Sequence, residues 1–126
     1  MREPFNTVSH LVGALLVAAG SIWLIARSWG DGAAIAAFAV YGVCTALLFT
    51  ASAVYHWTRE PKIGLQKLDH SAIYLMIAGT YTPVCLISIA GKLGWAALAV
   101  QWALAIAGIV LTFALRKVPT RVRLFL

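Results

Sequence analysis

Polar side chains that can bind a metal or move a proton occur in three short groups of an otherwise apolar chain. The first group contains Glu3, Asn6 and His10, whose spacing puts them on one face of a helix. The second contains Ser52 and His56, which are four residues apart and also share a face. A neutral imidazole is a common metal ligand, and a nearby hydroxyl can orient it or hold a metal-bound water. Both groups are therefore candidate parts of a metal site.

The third group is the adjacent pair Asp69 and His70, which is predicted to open a helix. Adjacent residues point about 100° apart on a helix, so the two side chains are not expected to serve the same ligand sphere. Asp69 could act as a general base for bound water or support a metal through that water. The helix dipole alone would also favour an aspartate in a first turn, and both interpretations stay open.

Each group also has a simpler interpretation. His10 and His56 could be solvated histidines at a membrane interface, and Ser52 could donate to a carbonyl of its own helix. Zinc requires at least three protein ligands. His10, His56 and Asp69 could supply them, but spacing alone does not bring the three together.

The composition indicates the class of protein in which these polar groups lie. The chain has 126 residues, 62% hydrophobic and 11% charged, with a mean hydropathy of +0.88. Soluble domains are about 45–50% apolar and about 25% charged. An all-α integral membrane protein with about four spanning helices is therefore predicted. The net charge of +6 does not indicate a nucleic-acid partner, because the basic residues lie in short loops between apolar segments.

Four apolar segments are predicted to form spanning helices within a single domain, residues 1–126. Polar or glycine-containing stretches separate them, and the longest of these connections covers residues 58–66. The segments cover residues 4–28, 33–57, 67–90 and 94–115. Pro83 should bend the third helix, and the hydroxyls of Thr80 and Thr82 are candidate local donors there.

Small residues inside the segments predict where helices pack. Ala99, Ala103 and Ala107 recur at every fourth position and indicate a packing face on the fourth segment. Cys44 and Cys85 lie within apolar segments and are expected to behave as small buried hydrophobic residues.

The distribution of basic residues predicts the orientation. Eight lie at the end of the bundle that contains both termini and the 58–66 connection, and two lie at the other end. The positive-inside bias then puts the N-terminus and the candidate site in the cytoplasm. The eight are Arg2, Arg59, Lys62, Lys67, Arg116, Lys117, Arg121 and Arg123, and the two are Arg27 and Lys92.

Three motifs in this order resemble the hemolysin III family, within the progestin and adipoQ receptor superfamily. Residues 3–10 read E-P-F-N-T-V-S-H, residues 52–56 read S-A-V-Y-H, and residues 68–83 read L-D-H-S-A-I-Y-L-M-I-A-G-T-Y-T-P. The third motif fits the bacterial branch best. The resemblance implies a multi-pass protein of the bacterial cell (inner) membrane, with seven helices and a cytoplasmic N-terminus.

The resemblance also implies a zinc site near the cytoplasmic face. His56 corresponds to a direct ligand, Asp69 to a residue that contacts the metal through water, and Ser52 to a residue beside that water. Two further histidines would come from an H-x-x-x-H motif in the seventh helix. Related membrane hydrolases use such a site on lipid amides, including ceramides.

The sequence departs from the family pattern by having about four helices and no H-x-x-x-H motif. It is therefore expected to be a C-terminally truncated fragment that lacks helices five to seven. Zinc is expected in the full-length protein. This chain would need His10 or His70 as a substitute ligand to bind zinc alone.

Three functions remain open at this stage, and so does the question whether the protein is an enzyme. It could be a zinc-dependent lipid hydrolase, with Asp69 and Ser52 catalytic, His56 a metal ligand, and support from Glu3, Asn6, His10 or His70. It could be a pore-forming, cytolytic protein. It could also be a non-catalytic protein of lipid homeostasis or signalling. Membrane lipids are the expected partners, and an oligomer is compatible with all three.

Overall fold

Four long helices form the part of the chain that the structure describes, residues 3–59 and 63–115 of a computed structural model. The helices are α1 (Pro4–Arg27), α2 (Gly32–Trp57), α3 (Ile63–Pro83) and α4 (Gly91–Ala114), and a π-helical segment, Val84–Ile89, continues α3. All four spans are long and apolar enough to cross a membrane. The predicted all-α membrane fold with about four spanning helices is confirmed.

The helices begin and end where the local sequence predicts. Pro4 occupies the first turn of α1, where its missing N–H costs no hydrogen bond. Asp31 caps α2, because its carboxylate accepts a hydrogen bond from the backbone N–H of Ala34 at 3.1 Å. At the other end of α2, the Thr58 hydroxyl donates to the carbonyl of Val54 at 2.8 Å. The short turn of residues 28–31 joins α1 to α2, and the two helices form an antiparallel hairpin.

The helices pack in chain order, with α2 between α1 and α3 and with α4 against α3. The start of α1 touches the end of α2, where the N–H of Glu3 donates to the carbonyl of His56. The start of α3 touches the end of α4, where Lys67 Nζ donates to the carbonyl of Phe113 at 3.3 Å. We call this end of the bundle the polar end. It contains the starts of α1 and α3 and the ends of α2 and α4.

Small side chains fill the helix interfaces, and large apolar side chains face outward. The buried apolar residues are alanines and cysteines, among them Ala37, Ala78 and Cys85 at 0% exposure. Close approach is required at Gly79, where an added Cβ would lie 2.5 Å from Cys44 Cβ. This distribution is expected in lipid, where burial of large apolar groups gives no advantage and helix association depends on close packing.

The helix after the long connection starts earlier than predicted. α3 begins at Ile63 rather than at residue 67. Asp69 is therefore in the second turn, and the dipole effect falls off within the first turn. The helix dipole does not explain this aspartate. Part of the connection and the basic C-terminal stretch, residues 60–62 and 116–126, lie outside the described residues.

Pro83 marks a change of helix type. The chain continues as the π-helical segment, a local adjustment that can satisfy backbone groups released by a proline. The Thr80 and Thr82 hydroxyls donate to carbonyls four residues earlier, those of Met76 and Ala78. Neither reaches the carbonyl of Gly79, which is the one that the proline deprives of its usual donor. The two hydroxyls are therefore local donors, as predicted, but their acceptors are carbonyls other than the one that Pro83 leaves without its usual donor.

The packing face of α4 also differs from the prediction. Ala99, Ala103 and Ala107 are exposed. The buried residues of α4 are Gly94, Ala105 and Thr112, on a different face. Gly94 is needed there, because an added Cβ would lie 2.2 Å from the carbonyl oxygen of Cys85 in the π-helical segment. The packing face of α4 is therefore the one on which its backbone comes close to the π-helical segment. The positions of small residues alone did not indicate this face.

Candidate functional site

Glu3 and His56 hold the polar ends of α1 and α2 together through two contacts. The Glu3 carboxylate oxygen Oε2 bonds to Nδ1 of the His56 ring. The backbone N–H of Glu3 also donates to the His56 carbonyl at 3.1 Å. That carbonyl belongs to the last turn of α2, where carbonyls lack intrahelical partners. A single residue therefore fixes both the backbone and the ring of His56.

The neighbours of Glu3 in α1 fix its position in turn. Asn6 Nδ2 donates to Oε2 of Glu3 at 3.3 Å. The carbonyl of Glu3 accepts from the backbone N–H and the hydroxyl of Thr7, at 3.0 and 2.9 Å. Although Glu3 is the residue before α1, its carboxylate does not cap that helix. The carboxylate is instead directed across the interface towards α2.

His10 lies beside His56, and it is about one and a half turns after the start of α1. The two ring centroids are 5.4 Å apart, with an interplanar angle of 74°. Phe49 packs edge-on against His10 at 6.0 Å. Gly13 makes room for Phe49, since a Cβ at this position would lie 2.8 Å from the phenyl ring. The imidazole pair therefore rests on an aromatic support that depends on a glycine.

The remaining predicted residues lie at the polar end but do not all meet. Ser52 is one turn deeper than His56 on α2 and is 4% exposed. Asp69 and His70 lie on α3 and are partly exposed. Within residues 3–59 and 63–115, no hydrogen bond or ion pair joins Asp69 to another side chain. The structure thus links Glu3, Asn6, His10 and His56 by direct contacts, and within the described residues Asp69 is not joined to them by a hydrogen bond or an ion pair.

Three buried polar atoms at this end have no hydrogen-bond partner among the described residues. They are Nδ1 of His10, Nδ1 of His70 and Oγ of Ser71. Ser71 is 3% exposed. Buried polar groups are normally hydrogen-bonded, which makes these three atoms the unsatisfied positions of the polar end.

The donor chemistry of His56 fits a metal ligand. An ionised carboxylate only accepts hydrogen bonds, so Nδ1 is the donor in this contact, and in a neutral imidazole Nε2 would then keep a free lone pair. Histidine ligands of metals usually donate their other nitrogen to a carboxylate in this way. However, within the described residues no group of three or more His, Cys, Asp or Glu side chains is arranged to hold a metal ion. These residues supply a ligand and its support, and a zinc site requires further ligands.

An apolar groove of about 320 Å³ opens beside this pair, between α1 and α2. Thr7, Leu11, Ala53, Val54 and Trp57 line it. Its single hydroxyl, that of Thr7, is occupied by the Glu3 carbonyl. The groove therefore offers an apolar surface next to the polar residues and within the span of the helices.

Sequence reasoning had put Glu3 on the face of Asn6 and His10 but had not paired it with His56. Spacing also does not indicate the contacts of Gly13 with Phe49 or of Thr7 with Glu3. A signal for the pair was present, because a hairpin of two spans puts the residue before the first helix beside the last residues of the second. Spacing within one helix cannot show contacts of this kind between helices.

Comparisons with a family model and with curated proteins point to the same family. The family model described as Haemolysin-III related matches residues 1–126. The chain is 48% identical over 113 residues to Hemolysin-3 of Bacillus cereus, and 39% identical over 113 residues to a Hemolysin-3 homolog of Bacillus subtilis (strain 168). Each match covers 86% of this chain, but 52% and 53% of the relatives, so the chain spans about half their length. No solved structure gives a significant match.

Proposed function

Because the chain belongs to the haemolysin-III family of integral membrane proteins, we propose that its polar end is part of a zinc site that hydrolyses amide bonds of membrane lipids. The observation that carries the proposal is the carboxylate–imidazole pair of Glu3 and His56. His56 lies inside the spanning helix α2, and ionisable residues in spanning segments usually mark a functional site. A histidine held at Nδ1 by a carboxylate is prepared to bind a metal through Nε2.

Each candidate residue has a defined task in this reaction. His56 is the metal ligand that the described residues supply, and the other ligands come from elsewhere in the protein. Zinc bound there would supply Lewis-acid activation of a water molecule. In that reaction Asp69 would accept a proton from this water and pass it to the departing amine, and Ser52 would orient the water. The water oxygen joins the carbonyl carbon, the C–N bond breaks, and the products are a fatty acid and an amine.

The apolar groove supports a lipid as the substrate. It lies between α1 and α2 beside the pair, and it can hold an acyl chain without exposing an unpaired polar group. The excess of basic residues near the polar end favours a cytoplasmic position for that end, by the positive-inside bias, and the proposal places the site there. The substrate would then reach the site from the bilayer.

The test uses the intact protein reconstituted into vesicles that contain ceramide, with fatty-acid release followed by mass spectrometry. We expect release by the wild type and a loss of at least about 100-fold in His56→Ala, since metal-site residues of this kind control turnover. Asp31→Asn is the matched control, because it changes a carboxylate at the opposite end and keeps the cap of α2. Equal release by His56→Ala and the wild type would exclude the proposed role of His56.

A pore-forming function is the second candidate, and the names of both relatives favour it. In this case, wild-type protein and His56→Ala would release a trapped dye equally from liposomes. Little supports a pore lined by this chain alone, because the span of α1 carries large apolar side chains outward. If the liposomes stay sealed at a protein density that hydrolyses all of the lipid substrate, the result would count against a pore-forming function.

A further inference from the structure

We propose that Glu3 is the positioning residue of His56, and that it determines which ring nitrogen His56 presents to a ligand. This inference rests on the proposed zinc site but concerns a residue on another helix. Glu3 accepts the Nδ1 proton, and the ring then offers Nε2 alone as a ligand. α1 thus controls the ligand on α2 without contributing a ligand of its own.

The backbone contacts of Glu3 fix the point from which its carboxylate reaches the His56 ring. Its N–H donates to the carbonyl of His56, and its carbonyl accepts from Thr7. Both backbone groups of Glu3 are therefore fixed, one to each helix. The carboxylate has a short flexible stem that starts from a fixed point beside the ring. This differs from a surface ion pair, whose two long side chains lose conformational entropy when they meet.

The surroundings of the ring add to its alignment. Asn6 donates to the same oxygen, Oε2, that bonds to the ring. His10 lies edge-on to His56 at 5.4 Å, and Tyr55 lies at the same centroid distance with an interplanar angle of 62°. Rotation of the imidazole by half a turn would exchange its carbon and nitrogen atoms and break the bond to Glu3. The aromatic neighbours and the carboxylate thus favour one orientation.

The inference also gives a purpose to the first sequence motif. Glu3 reaches His56, Asn6 steadies Glu3, and His10 packs on the ring. All three residues act on a single side chain of the next helix. The motif therefore works as the support of His56, and we assign no metal ligand to it.

The experiment measures the tautomer directly in the intact protein with ¹⁵N-labelled histidine. Spectra are recorded with zinc removed by a chelator, at about pH 8.5, where a free imidazole is neutral. We expect the Nδ1–H form for His56 in the wild type and a shift towards the Nε2–H form in Glu3→Ala. Zinc affinity, measured by competition with a chelator, should fall by roughly 10- to 100-fold in Glu3→Ala.

Two further variants and a control make the result decisive. Glu3→Gln keeps an acceptor oxygen and should retain the Nδ1–H form with an intermediate affinity. Asn6→Ala removes the bond that steadies the Glu3 carboxylate and keeps the backbone contacts of Glu3, so the tautomer and the affinity should shift in the same direction by less. If Glu3→Ala does not fold, an unchanged tautomer in Asn6→Ala overturns the positioning role. Ser9→Ala is the control, because among the described residues the exposed Ser9 hydroxyl bonds only to the Asn6 carbonyl. It should change neither the tautomer nor the affinity.

The outcomes separate this inference from the proposed function. An unchanged tautomer and zinc affinity in both Glu3→Ala and Asn6→Ala would overturn the positioning role while the zinc site stands. A wild type that binds no zinc would overturn the proposed function. The tautomer shift in Glu3→Ala would still support the control of His56 by Glu3.

Discussion

The imidazoles of His10 and His56 lie edge to face, 5.4 Å apart, although they belong to different helices. The carboxylate of Glu3 bonds to one ring, and Phe49 packs against the other. The polar end of the α1–α2 hairpin is therefore an ordered cluster and not a set of separately solvated interfacial residues. This order is what makes the cluster sensitive to small changes in packing nearby.

Gly13 should be sensitive to even a single added methyl group. In Gly13→Ala the new Cβ would meet the Phe49 ring at 2.8 Å, so the ring must move away and release its contact with His10. Overpacking of this kind costs about 1–3 kcal/mol. We expect a lower midpoint in detergent unfolding and a changed His10 resonance.

Gly20→Ala is the matched control for that variant. Gly20 is also in α1 and an added Cβ would meet nothing within 4 Å. Replacing a glycine by alanine in a helix favours folding by roughly 0.5–1 kcal/mol. Equal unfolding midpoints for the two variants would mean that Phe49 does not require the space beside Gly13.

The hydrogen bond between Trp102 and Thr82 should contribute measurably to the docking of α4. Trp102 Nε1 donates to the Thr82 hydroxyl at 3.1 Å, and that hydroxyl donates to the carbonyl of Ala78. Thr82→Val removes the acceptor and leaves the indole N–H without its partner. Hydrogen bonds between membrane helices average about 0.6 kcal/mol, and we expect a loss between this value and about 1.7 kcal/mol.

Thr80→Val is the control that distinguishes loss of the bond between helices from loss of a threonine hydroxyl alone. Thr80 makes the same bond to its own helix, is exposed, and has no partner on α4. Its replacement should leave the unfolding midpoint nearly unchanged. If both threonine variants lose the same stability, the interhelical bond contributes nothing.

The orientation predicted from the basic residues can be tested by chemical labelling. In a background of Cys44→Ala and Cys85→Ala, single cysteines are introduced as Trp29→Cys and Arg59→Cys, at opposite ends of α2. An impermeant maleimide added to intact cells should label position 29 and spare position 59, because the positive-inside bias keeps the basic end in the cytoplasm. The reverse pattern would show that the polar end faces outward.

Much of the fold could be predicted from the sequence, because a membrane imposes a length and an apolar composition on each span. Pro4 and Asp31 also indicated helix starts correctly. The start of α3 was misplaced because residues 63–66 have mixed polarity. The packing face of α4 was misassigned because the exposed alanines recur at every fourth position, whereas the buried Gly94, Ala105 and Thr112 do not.

The site could be predicted less completely than the fold. Periodicity within one helix grouped Glu3, Asn6 and His10, and it grouped Ser52 with His56. The bond from Glu3 to His56 depends on how two helix ends meet, and no spacing rule describes that contact. The position of Asp69 relative to the other candidate residues likewise depends on packing between α2 and α3, which spacing within one helix does not describe.

The most direct test of the account is the zinc content of the intact protein, purified without added metal. We predict about one zinc ion per chain in the wild type and in Asp31→Asn, and loss of most of it in His56→Ala, with each variant still folded by circular dichroism. Equal zinc in His56→Ala and the wild type, or a folded wild type that holds none, would contradict the claim that this bundle end is part of a zinc site.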